Sequence, residues 1–401
     1  MRLVHFSDLH LGFRQYQRLT PGGINQREAD VARSFQAAID RIVALRPELV
    51  LIGGDVFHNV RPTNPSIIHA FLQFSRLRAA LPDAELVLIA GNHDTPRAAE
   101  TGSILRLFRE LAINVAYSEA QRFYFAERDL AVLAVPDVRG RPPTLTPDPN
   151  ARHNVLLLHG EIQGVLPAHV ATAERAAIEI PLEDLGAAEW DYVALGHYHV
   201  YRQIEPNAYY SGSIDYTSAN TWGELYEERV AGVPGKGIIE HDLVSGMHRF
   251  HPLPSSRALV DLPHVSARGL TVEEVNDRIR AAVEGCPGSI DDKIVRLIVR
   301  DLPRHIARDL DHKTLREYRR RALHFHLDTR RPEIVRLAGQ ASPGRRPSLA
   351  DVVRDKLMSR VLESDIDRKE LVALGLRYLS EAENSGVLST TGSDVAVEGS
   401  P

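Results

Sequence analysis

The sequence predicts a layered α/β domain over roughly its first 250 residues, then a smaller α/β domain and a pair of helices. Three observations lead there. Short apolar runs alternate with helix-length amphipathic stretches. Run after run ends in Asp, Asn or His, polar residues that belong in loops at one edge of a sheet. Finally, 401 residues with 43% hydrophobic and 25% charged content suffice for two or three cores, while no run approaches the ~18 apolar residues of a membrane span.

Strands are expected at residues 2–6, 49–53, 85–90, 130–135, 155–158 and 192–195, with helices at 28–45, 66–80 and 102–111 between the early ones. The spacing changes around Pro252 and Pro254, and residues 258–336 read strand, helix, strand, helix, strand. Residues 339–347 have the Gly, Pro and Ser content of a linker. Beyond it Ser348 caps a helix carrying Leu349, Val352, Val353, Leu357, Val361 and Leu362 at helical spacing. A second helix starts at Asp367, with Glu370 completing a capping box, and carries Leu371, Leu374 and Leu379. The expected domains are therefore 1–254, 255–338, a linker at 339–347, a helix pair at 348–384 and a disordered tail at 385–401.

The net charge of −5 argues against a uniformly basic coat, but it is unevenly spread. Residues 293–336 hold thirteen Lys or Arg against six Asp or Glu. The single cysteine, Cys286, excludes a disulfide framework and any thiolate zinc site, leaving His, Asp and Asn as metal ligands. The first residues reach Asp8 without an apolar signal core, so a cytoplasmic address is expected, nucleoid-associated in a bacterium.

Those candidate ligands come in order, each group after a predicted strand: Asp8 and His10, Asp55, Asn92 with His93 and Asp94, His159, then His197 and His199. Residues two apart on an extended segment point the same way, so Asp8 with His10 and His197 with His199 can each address one centre. Even seven of these nine residues as ligands exceed what one open four- to six-coordinate ion takes, but suit two ions about 3.5–4 Å apart around a shared carboxylate, for which Asp55 is the natural choice. Imidazole, carboxylate and amide oxygen without thiolate favour Mn, Fe or Zn over Ca and make Mg alone a poorer fit.

With His-Leu-Gly-Phe at 10–13, Gly-Gly-Asp-Val-Phe-His at 53–58 and Tyr-Ser-Gly-Ser-Ile-Asp-Tyr at 210–216, the ordered motifs resemble the calcineurin-like metallophosphoesterase superfamily, and within it the SbcD-type double-strand-break repair nucleases. The resemblance implies a four-layer αββα sandwich with a capping domain that positions DNA. It implies two divalent ions, Mn2+ first among them, one held by Asp8, His10, Asp55 and His199 and the other by Asp55, Asn92, His159 and His197. His93 then stabilises the phosphate or protonates the leaving oxygen, Asp94 orients His93, and His58 assists exonuclease action. The implied reaction is phosphodiester hydrolysis by a bridging hydroxide, as a 3′-to-5′ exonuclease on duplex ends and an endonuclease on single strands, in double-strand-break repair and recombination. The implied partners are DNA and an SMC-like ATPase of SbcC type, whose coiled coil would take the apolar face of Leu349, Val353, Leu357 and Leu371, with a homodimer inside a heterotetramer. Two other readings use the same residues. A small-molecule phosphodiesterase or phosphatase would need no basic second domain, and a non-catalytic tether of DNA ends would not need a complete ligand set.

Overall fold

The computed structural model describes residues 1–96, 102–140, 143–165, 176–332, 348–359 and 367–384. They belong to two compact units, Met1–Pro332 and Glu333–Pro401. The expected linker at 339–347, the expected tail at 385–401, Val361 and Leu362 lie outside the described residues.

The first unit begins β1 (Arg2–Phe6), α1 (Gln26–Leu45), β2 (Leu49–Ile52), α2 (Asn64–Ala80), β3 (Glu85–Ile89), β4 (Asn114–Ala116), β5 (Gln121–Phe125), β6 (Leu130–Val135), β7 (His153–His159), β8 (Glu161–Ile162) and β9 (Glu179–Ile180). It continues with β10 (Tyr192–Gly196), β11 (Arg202–Glu205), β12 (Ala208–Tyr210), α3 (Thr221–Ala231), β13 (Gly237–Asp242) and β14 (His248–Pro252). The smaller segment follows as β15 (Leu259–Asp261), β16 (Val265–Ser266), α4 (Val272–Glu284), β17 (Ile294–Arg300), α5 (Arg304–Arg308), α6 (His312–Arg321) and β18 (His324–Thr329).

Two six-stranded sheets form the body, in the orders β14-β13-β1-β2-β3-β4 and β11-β12-β10-β7-β6-β5. Their central strands are parallel, so their carboxyl ends share an edge. These strands read as unbroken apolar runs because both faces are buried. Val4, Phe6, Val50, Ile52, Leu86 and Leu88 pack on Phe35 and Ile39 of α1 and Phe74 and Leu77 of α2. The alternate residues Leu3, Leu49, Leu51, Val87 and Ile89 meet Val132, Val155, Leu157 and Tyr192 between the sheets. The far face of the second sheet is covered by β8, β9 and the 3₁₀ turns Leu182–Leu185 and Ala187–Glu189, packed through Ile162, Ile178, Leu185 and Trp190. The body of the first unit is thus a mixed α/β sandwich of two sheets with helices on the first.

Both early helices start before their expected positions because the caps lie upstream. Asn25 accepts from the Arg27 N–H, while Thr63 accepts from the Ser66 N–H ahead of a first turn that contains Pro65. The helix expected at 102–111 is instead a 3₁₀ helix, Ile104–Leu111, closed by the Ala112 N–H on the Arg109 carbonyl. In the smaller segment β17 pairs with β15 and β16 on one edge and β18 on the other, all parallel. Its separate core gathers Val275, Ile279, Leu297, Val299, Leu315, Tyr318 and Phe325.

In the second unit α7 (Leu349–Ser359) and α8 (Arg368–Asn384) pack on each other. Ser348 and Asp351 exchange side-chain and backbone hydrogen bonds at the start of α7. The expected partner face needs correction here. Leu357 and Val353 approach Gly375, where an added Cβ would lie 2.6 Å from Leu357 Cδ1, so both positions are used within the helix pair. The apolar side chains turned outward are Leu349, Val352, Met358, Leu374 and Tyr378.

Candidate metal centre

Every predicted ligand follows a parallel strand at the shared edge: Asp8 and His10 after β1, Asp55 after β2, Asn92 after β3, His159 at the end of β7, and His197 and His199 after β10. Asp8 and His10 converge by a route the strand rule did not anticipate. β1 ends at Phe6, and Asp8 (φ 55°), His10 (φ 45°), Asp55 (φ 50°) and His197 (φ 107°) all have positive φ. Such residues cost about 1–3 kcal/mol each, and they persist where surrounding contacts fix them. Here the Asp8 N–H donates to the Gly54 carbonyl at 3.0 Å, the His10 N–H to the Asp55 carbonyl at 2.9 Å, and the His197 N–H to the Asp8 carboxylate at 3.2 Å. Two glycines let the loops close. A Cβ on Gly91 would fall 2.1 Å from Asp55 Oδ1, and one on Gly196 would fall 1.9 Å from the Gly53 carbonyl oxygen.

The side chains meet in buried clusters. Ligand atoms of Asp8, His10 and His199 lie within 4.8 Å of one another, as do those of Asp8, Asp55 and His159. His10 Nε2 is 3.1 Å from His199 Nε2. Asp55 Oδ2 stands between the groups, 3.7 Å from His10 Nε2 and 3.6 Å from His159 Nε2. Asn92 Oδ1 is 3.1 Å from His159 Nε2 and 3.3 Å from His197 Nδ1. His10, His58 and His93 form a further group at the same edge.

The electrostatics suit cations. Burial, then the neighbouring imidazoles, push His10 and His197 well below the usual histidine range, which leaves them neutral with lone pairs to offer. Burial raises Asp55, and the charge of Asp8 raises it further. Burial and then Asp55 push Asp94 up to about 7. Burial would lower His159 and His199, yet Asp55 raises the one and Glu224 the other, so the carboxylates draw positive charge into the cluster, and divalent ions supply it. The His159 Nδ1–H donates to the Gly53 carbonyl at 2.7 Å, which turns Nε2 toward the cluster. His199 is oriented likewise, Nδ1 lying 3.1 Å from Glu224 Oε1. Burial would raise Glu224, yet Lys236 and His199 hold it at about 2, so it is ionised.

Residues 1–205 match the calcineurin-like phosphoesterase family. The chain belongs to that family. It is similar to the DNA double-strand break repair protein Mre11 of Methanocaldococcus jannaschii, 26% identical over 251 residues that make up 59% of this chain and 61% of the relative. It is also similar to the protein of that name from Sulfurisphaera tokodaii, 30% identical over 210 residues, 51% of this chain and 50% of the relative. The matches thus span between half and about three fifths of these two relatives' own length.

Within this phosphoesterase, His58 and His93 stand together at the edge of the clusters, their rings stacked with centroids 5.2 Å apart. His58 Nδ1 is 3.3 Å from His10 Nδ1. The His93 Nδ1–H donates to the His58 carbonyl at 2.8 Å, and the His93 N–H donates to Asp55 Oδ1 at 2.9 Å. Asp94 does not orient His93 as expected. Its carboxylate accepts from the N–H groups of Val56, Phe57 and Gly91, tying the β2 and β3 loops together, because neighbouring residues in this turn face different ways. A cavity of about 750 Å³ opens beside His58, Asn92 and His93 and extends to Tyr117, Asp137 and Arg139. Sequence reasoning missed Glu224 and Lys236, which lie 25 and 37 residues past His199 with no motif to link them.

Proposed function

We propose that this phosphoesterase is a metal-dependent DNA nuclease acting as a 3′-to-5′ exonuclease on duplex ends and an endonuclease on single strands. The observation that carries the reading is the convergence of five buried ligands, Asp8, His10, Asp55, His159 and His199, with the half-buried Asn92 and His197 beside them, from both sheets, in a chain whose relatives are described as double-strand-break repair proteins. Asp8, His10, Asp55 and His199 would hold one ion, and Asp55, Asn92, His159 and His197 the other. Two bound divalent ions, Mn2+ by preference, supply an activated water for in-line attack on phosphorus and neutralise the phosphate oxygens. Because its Nδ1 proton is committed to the His58 carbonyl, His93 exchanges protons with the leaving oxygen through Nε2. His58, against His10 and the adjoining cavity, bears on how a duplex end is presented.

DNA contact by the basic segment is narrower than its composition suggests. Arg296 forms a bidentate pair with Asp261 and stacks on Trp222, leaving it no role on phosphate. Arg320 and Arg321 pair with Glu317 and Asp291 at exposed positions, where such pairs are worth about 0–1 kcal/mol and phosphate can displace them. For an SMC-like ATPase of SbcC type, the outward Val352 and Leu374 are the contact positions, and Val352→Glu with Leu374→Glu is expected to abolish co-purification. Retained co-purification would exclude the helix pair from docking. Exposed Ile68 and Leu72 on α2 offer the surface for a homodimer, which light scattering would detect as a doubled mass.

Purified protein with Mn2+ is expected to degrade duplex and hairpin DNA, and EDTA to stop it. Metal-dependent hydrolysis of small phosphodiesters with intact DNA would favour the small-molecule reading. Hydrolysis of neither would leave a tether of DNA ends.

A further inference from the structure

His199 is held at both ends by residues that the motifs do not include. Its Nδ1 meets Glu224 Oε1 at 3.1 Å, and its carbonyl oxygen accepts from Lys236 Nζ at 2.7 Å. The same ammonium donates to Glu224 Oε2 at 2.6 Å, stands 3.1 Å from Glu228 Oε1 and lies 4.6 Å over the Tyr216 ring. The Tyr216 hydroxyl in turn donates to Glu228 Oε2 at 2.6 Å. His199, Glu224, Glu228 and Lys236 are all buried. α3 presents Glu224 and Glu228 one turn apart on one face, and Lys236 comes from the residue just before β13. Both Glu224 and Lys236 lie beyond the segment that matches the family.

The charge count at this network is informative. Two buried carboxylates surround one ammonium, so one negative charge is in surplus, and Glu228 alone could balance Lys236. A surplus buried anion is costly unless something positive sits near it. The atom it faces is the distal nitrogen of a histidine whose other nitrogen looks into the carboxylate cluster. A carboxylate behind a ligating imidazole fixes which nitrogen carries the proton and makes the other a better donor to a cation.

We propose that Glu224 and Lys236 are a positioning pair for the ion shared by Asp8, His10 and His199. Glu224 accepts the Nδ1 proton of His199 and so directs the Nε2 lone pair into the cluster, while Lys236 fixes that carboxylate and the His199 carbonyl together. Both residues are buried behind His199. The inference rests on the two-ion reading of the site, and its test separates the two.

Metal-free protein would be titrated with Mn2+ and followed by calorimetry and by the electron-spin signal of the free ion. Wild type should take two ions. Glu224→Gln keeps an acceptor atom but removes the charge, and should weaken one ion by about 10- to 100-fold while the other binds as before. Hydrolysis should then need correspondingly more Mn2+ for half-maximal rate, yet recover most of its kcat at saturation. Glu224→Gln combined with Lys236→Met conserves the buried net charge, and decides the matter should the single variant fail to fold; it too should weaken one ion. Unchanged Mn2+ affinity in the folded variant overturns the positioning role, as does equal weakening of both ions. A wild type that takes fewer than two ions would instead sink the two-ion reading itself.

Discussion

Replacing Asp55 with Ala is expected to abolish hydrolysis and to empty both cation positions. Asp55 Oδ2 is 3.7 Å from His10 Nε2 and 3.6 Å from His159 Nε2, so this carboxylate borders both groups of ligands. Its Oδ1 also accepts from the His93 N–H, which ties the histidine proposed to exchange protons to the same residue. Gly91 makes room for this carboxylate, since a Cβ there would fall 2.1 Å from Asp55 Oδ1. The metal-free variant should nevertheless keep its fold. Removing Asp55 relieves repulsion with Asp8 and Asp94 but gives up the attraction of His159 and the bond from the His93 N–H, so the effects oppose one another. The signature is a loss of metal content by elemental analysis in a variant that still unfolds cooperatively. Two tightly bound ions and normal turnover in Asp55→Ala would refute its place at the centre.

Much of the body could be read from sequence because burial on both faces writes strands such as Leu130–Val135 as unbroken apolar runs. β13 and the edge strand β14 escaped the same reading, since Glu240, His241 and Arg249 interrupt their apolar residues and the pairing of β13 with β1 comes from far along the chain. Asp8, His10, Asp55 and His199 were legible as residue types after strands. Their means of convergence was not, because a positive φ at a residue other than glycine is imposed by tertiary contacts such as the Gly54 carbonyl on the Asp8 N–H. Adjacency misled at Asp94, which reaches Val56 and Phe57 rather than its neighbour His93. Helical spacing alone could not divide Val353 and Leu357, which face Gly375, from Val352, which turns outward.

His93→Ala should leave the metal content intact and lower turnover by roughly 10²- to 10⁴-fold, the effect of losing a general acid. His93 belongs to no ligand set proposed for the two ions, although its ring lies edge-on to His10 with centroids 4.8 Å apart. Its place is fixed by the backbone: the N–H binds Asp55 Oδ1, the Nδ1–H binds the His58 carbonyl, and the ring stacks on His58. The Ala variant keeps the first of these bonds, so the β3 loop and Asn92 should stay in position, and metal analysis should find the wild-type content. The loss should depend on the leaving group. A substrate ester whose leaving oxygen is weakly basic needs no proton, so wild type and His93→Ala should hydrolyse it at rates much closer than their rates on DNA. An equal deficit on both substrates would assign His93 to charge stabilisation at the phosphate rather than to proton transfer. Loss of bound metal in this variant would move His93 into the ligand set, with His10 and His58 as its nearest imidazole neighbours.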